Sequence, residues 1–525
     1  MNLRLVSKLL GVISFLIGGM MLFSLPWAHP ALGQRLALNP PPPPSEFETT
    51  GLLALLASVG VCLLVGGALM WAGRQATGNF FRKEAMAVVG LSWVLATVLG
   101  ALPFYFSGTY RKPDVPMSFV DCLFESQSGF STTGATTISE LQEPQLVSHC
   151  ILFWRSSTHF LGGLGIIVLF VAILGQGSAG KALMRAEMPG PTKEGSHSRM
   201  QHTALVFAGI YCGLTAVLAL ILWCFKEISL FDALCHSFGT MATGGFSTYN
   251  GSIGHFQNVW IEYVIILFMV LAGTNFTMLY FLLLRQPGRI WSDLEWRTYM
   301  SVIACATALV IAFGVFHQDF VGYSDALRYG LFQVVALMTT TGYCTADFDL
   351  WSHFARGALL MIMFVGGCAG STGGGLKVIR FILFVKILRL ETEQAYHPTV
   401  VRPLRIGGKP VEDQNLRKNI LVYFALITLI FVCSWIFVVT TEPNATWGAT
   451  GEQEGTVEHK LIDSASAVAA TLNNIGPGLG VVGATKNYGD FSWHSQLLFI
   501  WLMMIGRLEI FSILVLMLPG FWRTH

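Results

Sequence analysis

Asp121-Cys-Leu-Phe-Glu-Ser-Gln-Ser-Gly-Phe-Ser-Thr-Thr-Gly134 is followed, at wide intervals, by three stretches of the same build. They read Asp232-Ala-Leu-Cys-His-Ser-Phe-Gly-Thr-Met-Ala-Thr-Gly-Gly245, Phe332-Gln-Val-Val-Ala-Leu-Met-Thr-Thr-Thr-Gly342 and Asp463-Ser-Ala-Ser-Ala-Val-Ala-Ala-Thr-Leu-Asn-Asn-Ile-Gly476. Each is a moderately apolar run that closes on hydroxyl groups and glycine. Asp121, Asp232 and Asp463 stand 13 residues before the final glycine, and in the third copy that place falls to Tyr329. An apolar run of about ten residues cannot cross some 30 Å of hydrocarbon, but it can enter as a half-helix where protein or water surrounds it. Ser118-x-x-Asp121 and Ser229-x-x-Asp232 match capping boxes, so the aspartates read as caps at the half-helix starts. Each half-helix would then end with its negative dipole directed inward.

The surroundings of these stretches are membrane-like. Of 525 residues, 53% are hydrophobic and 12% charged, whereas soluble domains carry roughly a quarter charged residues. The apolar residues fall into ten blocks at about 8–28, 50–73, 84–107, 148–175, 203–225, 258–284, 298–317, 354–390, 417–440 and 493–518, each long enough to span. This composition excludes a cytosolic enzyme, a secreted disulfide scaffold and a disordered chain. The ten cysteines stand singly, without metal spacing, and read as buried small hydrophobes.

With the sides of the spans alternating, 22 of the 32 Lys and Arg fall on one side. That side is the cytoplasm by the positive-inside rule, and it holds both termini. The first span, after Arg4 and Lys8, is too long for a signal-peptide core and reads as a retained helix. Pro40 to Pro44 forms a polyproline II spacer in the first outer loop. The Asn444-Ala445-Thr446 sequon has meaning only in a eukaryotic secretory pathway.

Dehydrating an alkali cation requires oxygens at fixed spacing. Successive backbone carbonyls supply them where glycine permits unusual backbone angles. One glycine-rich turn would be a packing contact; four on one side, each between two spans, point to a filter. The candidate filter residues are Thr132, Thr133, Gly134, Thr243, Gly244, Gly245, Thr340, Thr341, Gly342, Asn474, Ile475 and Gly476. Each loop leads to another helix expected to begin with glycine, at Gly163, Gly273, Gly367 and Gly506. The predicted fold is an all-α polytopic membrane protein with four helix–pore-loop–helix units around one pore. The units are 79–190, 191–292, 293–410 and 411–525, after a two-helix unit at 1–78.

Phe130-Ser-Thr-Thr-Gly-Ala-Thr-Thr137, Met241-Ala-Thr-Gly-Gly-Phe-Ser247, Met338-Thr-Thr-Thr-Gly-Tyr343 and Asn473-Asn-Ile-Gly-Pro-Gly478 resemble the filter segments of the potassium transporter superfamily that includes TrkH, KtrB and the plant HKT proteins. The resemblance covers roughly 79–525, and the two extra N-terminal spans point to the TrkH branch. It implies K⁺ uptake across a bacterial inner membrane, with a glycine in all four loops as the K⁺-permitting pattern. It also implies a homodimer docked on a cytosolic ring of nucleotide-binding TrkA-type subunits. K⁺ is the transported ion; no cofactor bound by this chain and no nucleic-acid partner are expected.

Two features gain meaning beside the repeat. Gly366, Gly367, Gly370, Gly373, Gly374 and Gly375 are too many for a stable helix, at nearly 1 kcal/mol each relative to Ala, so the eighth span should break. No Lys-Ser or Lys-Thr pair makes this stretch a phosphate loop. Arg507 lies deep in the last span, at a cost of several kcal/mol unless it faces water or an acid. Its readings are a structural ion pair with an acid of another repeat, since Glu509 is on a different helical face, or a fixed charge below the filter. The resemblance favours the charge, and makes Gly370, Ser371, Thr372, Gly373, Gly374, Gly375, Lys377 and Arg507 a gate. The basic inner loops at 175–202, 285–297 and 390–416 read as topology signals with contact to anionic lipid. The rival functions are a Na⁺-permeable or ion-coupled symporter of the same superfamily and, less well supported, a polytopic membrane enzyme. The scattered histidines, among them His149, His159, His236 and His353, read as interface residues rather than bases.

Overall fold

The computed structural model describes residues 1–32, 47–76, 81–165, 197–397, 404–406, 409–410, 415–447, 459–508 and 510–523. Pro40–Pro44, Glu509, most of the 175–202 loop and part of the 390–416 loop lie outside these. So do the expected unit boundaries near 78 and 190. Apart from two two-stranded hairpins, β1 (Tyr110–Lys112) with β2 (Val115–Pro116) and β3 (Arg405–Ile406) with β4 (Lys409–Pro410), the described elements are helical.

Helices α1 (Leu3–Met21) and α2 (Thr49–Ala72) form an antiparallel hairpin. It packs as membrane helices do, through small residues that let backbones approach. A Cβ on Gly66 would lie 2.6 Å from the Phe15 ring, and one on Gly18 would lie 2.8 Å from Cys62. Ser14 Oγ donates to Cys62 O at 2.8 Å. Ahead of α2, the Glu48 carboxylate accepts from His149 N and Cys150 N, which joins the hairpin to the first repeat.

Four units follow. A first helix leads each one: α3 (Arg82–Phe106), α6 (His197–Trp223), α10 (Leu294–Phe316) and α14 (Asn415–Thr441). Half-helices come next: α4 (Phe119–Phe130), α7 (Leu230–Met241), α11 (Tyr323–Met338) and α15 (Lys460–Leu472). The second helices are α5 (His149–Leu164); α8 (Val259–Ala272) with α9 (Phe276–Leu283); α12 (His353–Ile362) with α13 (Val378–Tyr396); and α16 (Trp493–Arg507) with α17 (Ile510–Leu514). The second helices of units 1, 2 and 4 pack on the half-helix of the next unit, unit 4 returning to unit 1, so the four units close around one central pore.

The structure corrects the sequence reading on four counts. Only six described helices are long and apolar enough to cross a membrane, seven if the pair α8–α9, bent by 106°, counts as one. Every second helix with described residues beyond its break is interrupted, not only the eighth span. Gly163, Gly273, Gly367 and Gly506 therefore end or break helices rather than begin them. The reason is crowding: a Cβ on Gly506 would lie 2.1 Å from Leu472 O, and one on Gly162 would lie 1.9 Å from Phe130 O, both at half-helix ends. Among the aspartates, Asp121 makes a full capping box and Asp232 N donates to the Ser229 side chain. Asp463 does not cap; it accepts instead from Val481 N at 3.2 Å, in the short helical turn Gly480–Val482 beyond its own loop. Finally, Cys212, Cys224, Cys305 and Cys433 are exposed rather than buried.

A paired substitution tests the hairpin packing. Gly66→Leu should lower the melting temperature in detergent, at the cost of about 1–3 kcal/mol typical of overpacking. Gly67→Leu, where nothing lies within 4 Å of an added Cβ, should leave it unchanged.

Candidate ion filter and gate

The half-helices end alike. After α4, Thr132 N donates to Gly129 O and Thr133 N to Ser128 O; after α7, Thr243 N donates to Thr240 O and Gly244 N to Gly239 O. After α11 the pairs are Thr340 N with Leu337 O and Thr341 N with Ala336 O, and after α15 Asn474 N with Thr471 O and Ile475 N with Ala470 O. Each is a Schellman turn, with its left-handed residue at φ 53° (Thr132), 54° (Thr243), 59° (Thr340) and 54° (Asn474). Glycine usually holds this position. A β-branched residue there costs about 1–2 kcal/mol, comparable to what the turn's hydrogen bonds return. The conformation persists because the surroundings determine it.

Two residues further on, Gly134, Gly245, Gly342 and Gly476 have φ of 80°, 76°, 75° and 97°. A Cβ on Gly134 would lie 2.1 Å from Gly244 O, and one on Gly245 2.0 Å from Thr341 O. One on Gly342 would lie 1.8 Å from Ile475 O, and one on Gly476 2.6 Å from Thr133 O. Each loop's glycine thus rests on the preceding residue's carbonyl in the next loop, and the series closes from the fourth loop to the first. All twelve candidate filter residues belong to this ring. The four glycines line an outer cavity of about 100 Å³.

Side chains to which the sequence reading gave no part in the filter hold the ring from behind. Arg155 Nε donates to Glu125 Oε2 at 2.9 Å, with side chains 2% and 0% exposed. Glu125 Oε1 accepts from Thr137 N at 2.6 Å and Thr136 Oγ1 at 2.5 Å, and Arg155 Nη1 donates to Ser247 O at 3.2 Å over the Phe246 ring. One ion pair therefore ties the first loop to the second. His159 accepts from Phe246 N through Nε2 and lies against Gly244, which explains a second glycine in that loop. Tyr343 Oη donates to Phe246 O, and Tyr488 Oη to Gly476 O at 2.8 Å. Asp232 accepts from Thr248 Oγ1 and Tyr249 Oη. In the outer connection after the third loop, Asp349 accepts from Gly480 N; burial pushes its carboxyl up against that hydrogen bond. The signal for the ion pair was available: a charged residue in an apolar span (Arg155) and another in a half-helix (Glu125).

On the other side of the ring, the segment between α12 and α13 folds under the half-helix ends. Gly374 N donates to Thr340 Oγ1 at 2.8 Å, and a Cβ on Gly374 would lie 2.5 Å from that of Asn474. Thr372 Oγ1 donates to Met241 O, and Cys368 N donates to Gly273 O. Arg507 donates to Thr372 O and to Gly162 O at 2.5 Å each, and Lys377 Nζ donates to Gly373 O. All eight residues of the gate expectation line an inner cavity of about 120 Å³, together with Arg380, Tyr211 and Tyr423.

Membrane-crossing helices around four half-helices whose ends close into a backbone ring define a pore-forming membrane protein. The family described as TrkH, cation transport protein, matches residues 54–522, and the chain belongs to it. The Trk system potassium uptake protein TrkH of Salmonella typhimurium is 37% identical over 466 residues, covering 88% of this chain and 91% of that one. Its counterpart in Halomonas elongata is 33% identical over 527 residues, covering 100% of both. The crystal structure of the potassium transporter TrkH from Vibrio parahaemolyticus matches with a TM-score of 0.80 at 31% identity, over 100% of both chains.

Removing one member of the buried pair should be costly. Arg155→Ala, which leaves Glu125 buried and uncompensated, should destabilise the protein by about 3–5 kcal/mol. Thermal unfolding of the purified protein in detergent reads this as a marked drop in melting temperature, larger than that of Arg111→Ala at the outer surface.

Proposed function

We propose that this chain carries K⁺ into the cell through a channel-like pore in the bacterial inner membrane. Its relatives are named as potassium transporters, and no covalent chemistry is involved. The observation that carries the reading is the closed ring of left-handed glycines, each on the next loop's carbonyl. Such a ring cannot widen at one loop without moving its neighbours, which suits replacement of a hydration shell at fixed oxygen spacing. Cations enter through the outer cavity and shed water at residues 132–134, 243–245, 340–342 and 474–476. They then meet the barrier formed by Gly370–Gly375, Lys377 and Arg507. The membrane potential drives entry, at about 2.3 kcal/mol per charge per 100 mV.

Both termini lie in the cytoplasm in this reading, with the four transport units at 79–190, 191–292, 293–410 and 411–525. The chain works as a homodimer, and a cytosolic ring of nucleotide-binding subunits acts on the gate. The second reading, a Na⁺-permeable or ion-coupled protein of the same family, would need a looser ring.

Uptake of ⁸⁶Rb⁺ into proteoliposomes holding the purified chain, with and without the ring subunit, is the direct test. Uptake suppressed by K⁺ and little affected by Na⁺ is expected; equal suppression by Na⁺ would replace K⁺ selectivity by the second reading. Gly342→Ala, which places a methyl against Ile475 O, should abolish the preference for Rb⁺ over Na⁺. Shortening 370–375 or Arg507→Ala should raise flux severalfold, and unchanged flux in both folded variants would remove the gate.

A further inference from the structure

Among the buried carboxylates outside the filter, Glu295 has contacts that its own helix does not require. Glu295 is the second residue of α10, whose start is already capped by Asp293, the side chain accepting from Trp296 N at 2.8 Å. Glu295 is buried, and its Oε1 accepts from Ala369 N at 2.7 Å and from Ile379 N at 3.2 Å. These amides lie ten residues apart, one just before Gly370–Gly375 and the other in the first turn of α13. Ile379 N is one of the donors that a helix start leaves without an intrahelical partner, and a carboxylate there also meets the positive end of the helix dipole.

The same base carries two backbone bonds, Gly366 N to Leu376 O at 2.7 Å and Val378 N to Gly367 O at 3.2 Å. The segment is thus a closed loop with a narrow neck, and a single oxygen from a different helix bridges that neck. Within the loop, glycines contribute little stiffness of their own. Its flanks are held by Gly273 O on Cys368 N, by Phe276 N on Gly370 O and by Arg507 on Thr372 O, each at one point. Glu295 differs from these in holding both ends at once. Releasing it leaves the neck to its two backbone bonds alone, whereas releasing a flank frees one side.

We infer that Glu295 is the latch of the intramembrane loop: its carboxylate holds the two ends of 369–379 together, keeps Gly370–Gly375 beneath the filter, and sets how readily the loop withdraws. Glu295 is a positioning residue that touches no ion. The inference rests on the loop being the barrier, as proposed above. A movement of α10 relative to the neck would be sufficient to open the latch, so that helix is the natural route by which a signal from the cytosolic side reaches the pore.

The test uses the full chain in proteoliposomes, with Glu295→Ala, Glu295→Gln, Glu295→Asp and Arg507→Ala compared for ⁸⁶Rb⁺ flux and for hydrogen exchange of peptides covering 366–379. Glu295→Ala should speed exchange in that segment by about tenfold, as local opening does, and raise flux severalfold. Glu295→Gln, isosteric and still an acceptor, should fall between Ala and the native protein. Glu295→Asp, one methylene shorter but charged, should restore part of the protection. Unchanged exchange in Glu295→Ala and Glu295→Gln would overturn the latch whatever the flux. Faster exchange with unchanged flux, while Arg507→Ala raises flux, would overturn it and leave the gate standing. Unchanged flux in Arg507→Ala, Glu295→Ala and Glu295→Gln would remove gate and latch together.

Discussion

Everything in this protein is arranged around one contact made four times: a glycine α-carbon lying on a neighbouring loop's carbonyl. The hypothetical Cβ distances of 1.8 to 2.6 Å leave room for hydrogen alone. Because the contact runs from loop to loop and returns to the first, the four loops are one object rather than four. Each half-helix must deliver its loop at the right height, which is why all four end in the same Schellman turn. The strain of Thr132, Thr243 and Thr340 in the left-handed region is tolerated because releasing any one would open the ring.

The ring has fourfold backbone symmetry without fourfold chemistry. Loops 1 and 3 tie their cap hydroxyls to the second threonine, Ser131 with Thr133 at 2.7 Å and Thr339 with Thr341 at 2.8 Å. Loop 2 has no room for that side chain, because the His159 ring occupies the space. Loop 4 sends Asn474 Nδ2 across to Thr133 Oγ1 at 2.9 Å. The backbones are kept equal by unequal means: an ion pair behind loop 1, a histidine and a tyrosine behind loop 2, and a tyrosine hydroxyl on the glycine carbonyl of loop 4.

The broken second helices follow from the same constraint. A continuous helix passing a half-helix end would put side chains where Phe130 O and Leu472 O already are. The chain stops or turns there, and its freed backbone groups pair with Arg507 in unit 1 and with the Gly-rich segment in units 2 and 4, as helix breaks in a membrane require. Filter, breaks and loop therefore form one hydrogen-bonded assembly, in which the loop shares partners with three other units. A change at any of these contacts is felt at the base of the filter.

Much of this was legible in the residues. Apolar blocks against 12% charge marked a membrane protein, and four spaced copies of a hydroxyl–glycine ending marked a pore with its units in order. The glycine excess at 366–375 marked a break. These signals are local: hydrophobicity, helix propensity and the tolerance of glycine for positive φ act on each residue whatever lies across from it. Pairing is not local. That Glu125 meets Arg155, that Asp463 serves the turn after its loop instead of its helix start, that Gly506 ends a helix, and that Glu295 reaches a loop more than seventy residues away depended on which backbones approach closely in the closed ring. The sequence by itself determined that there are four half-helices and where their chains must bend. The tertiary structure alone decided what each bend presses against, because that distance is set by the packing of all four units together.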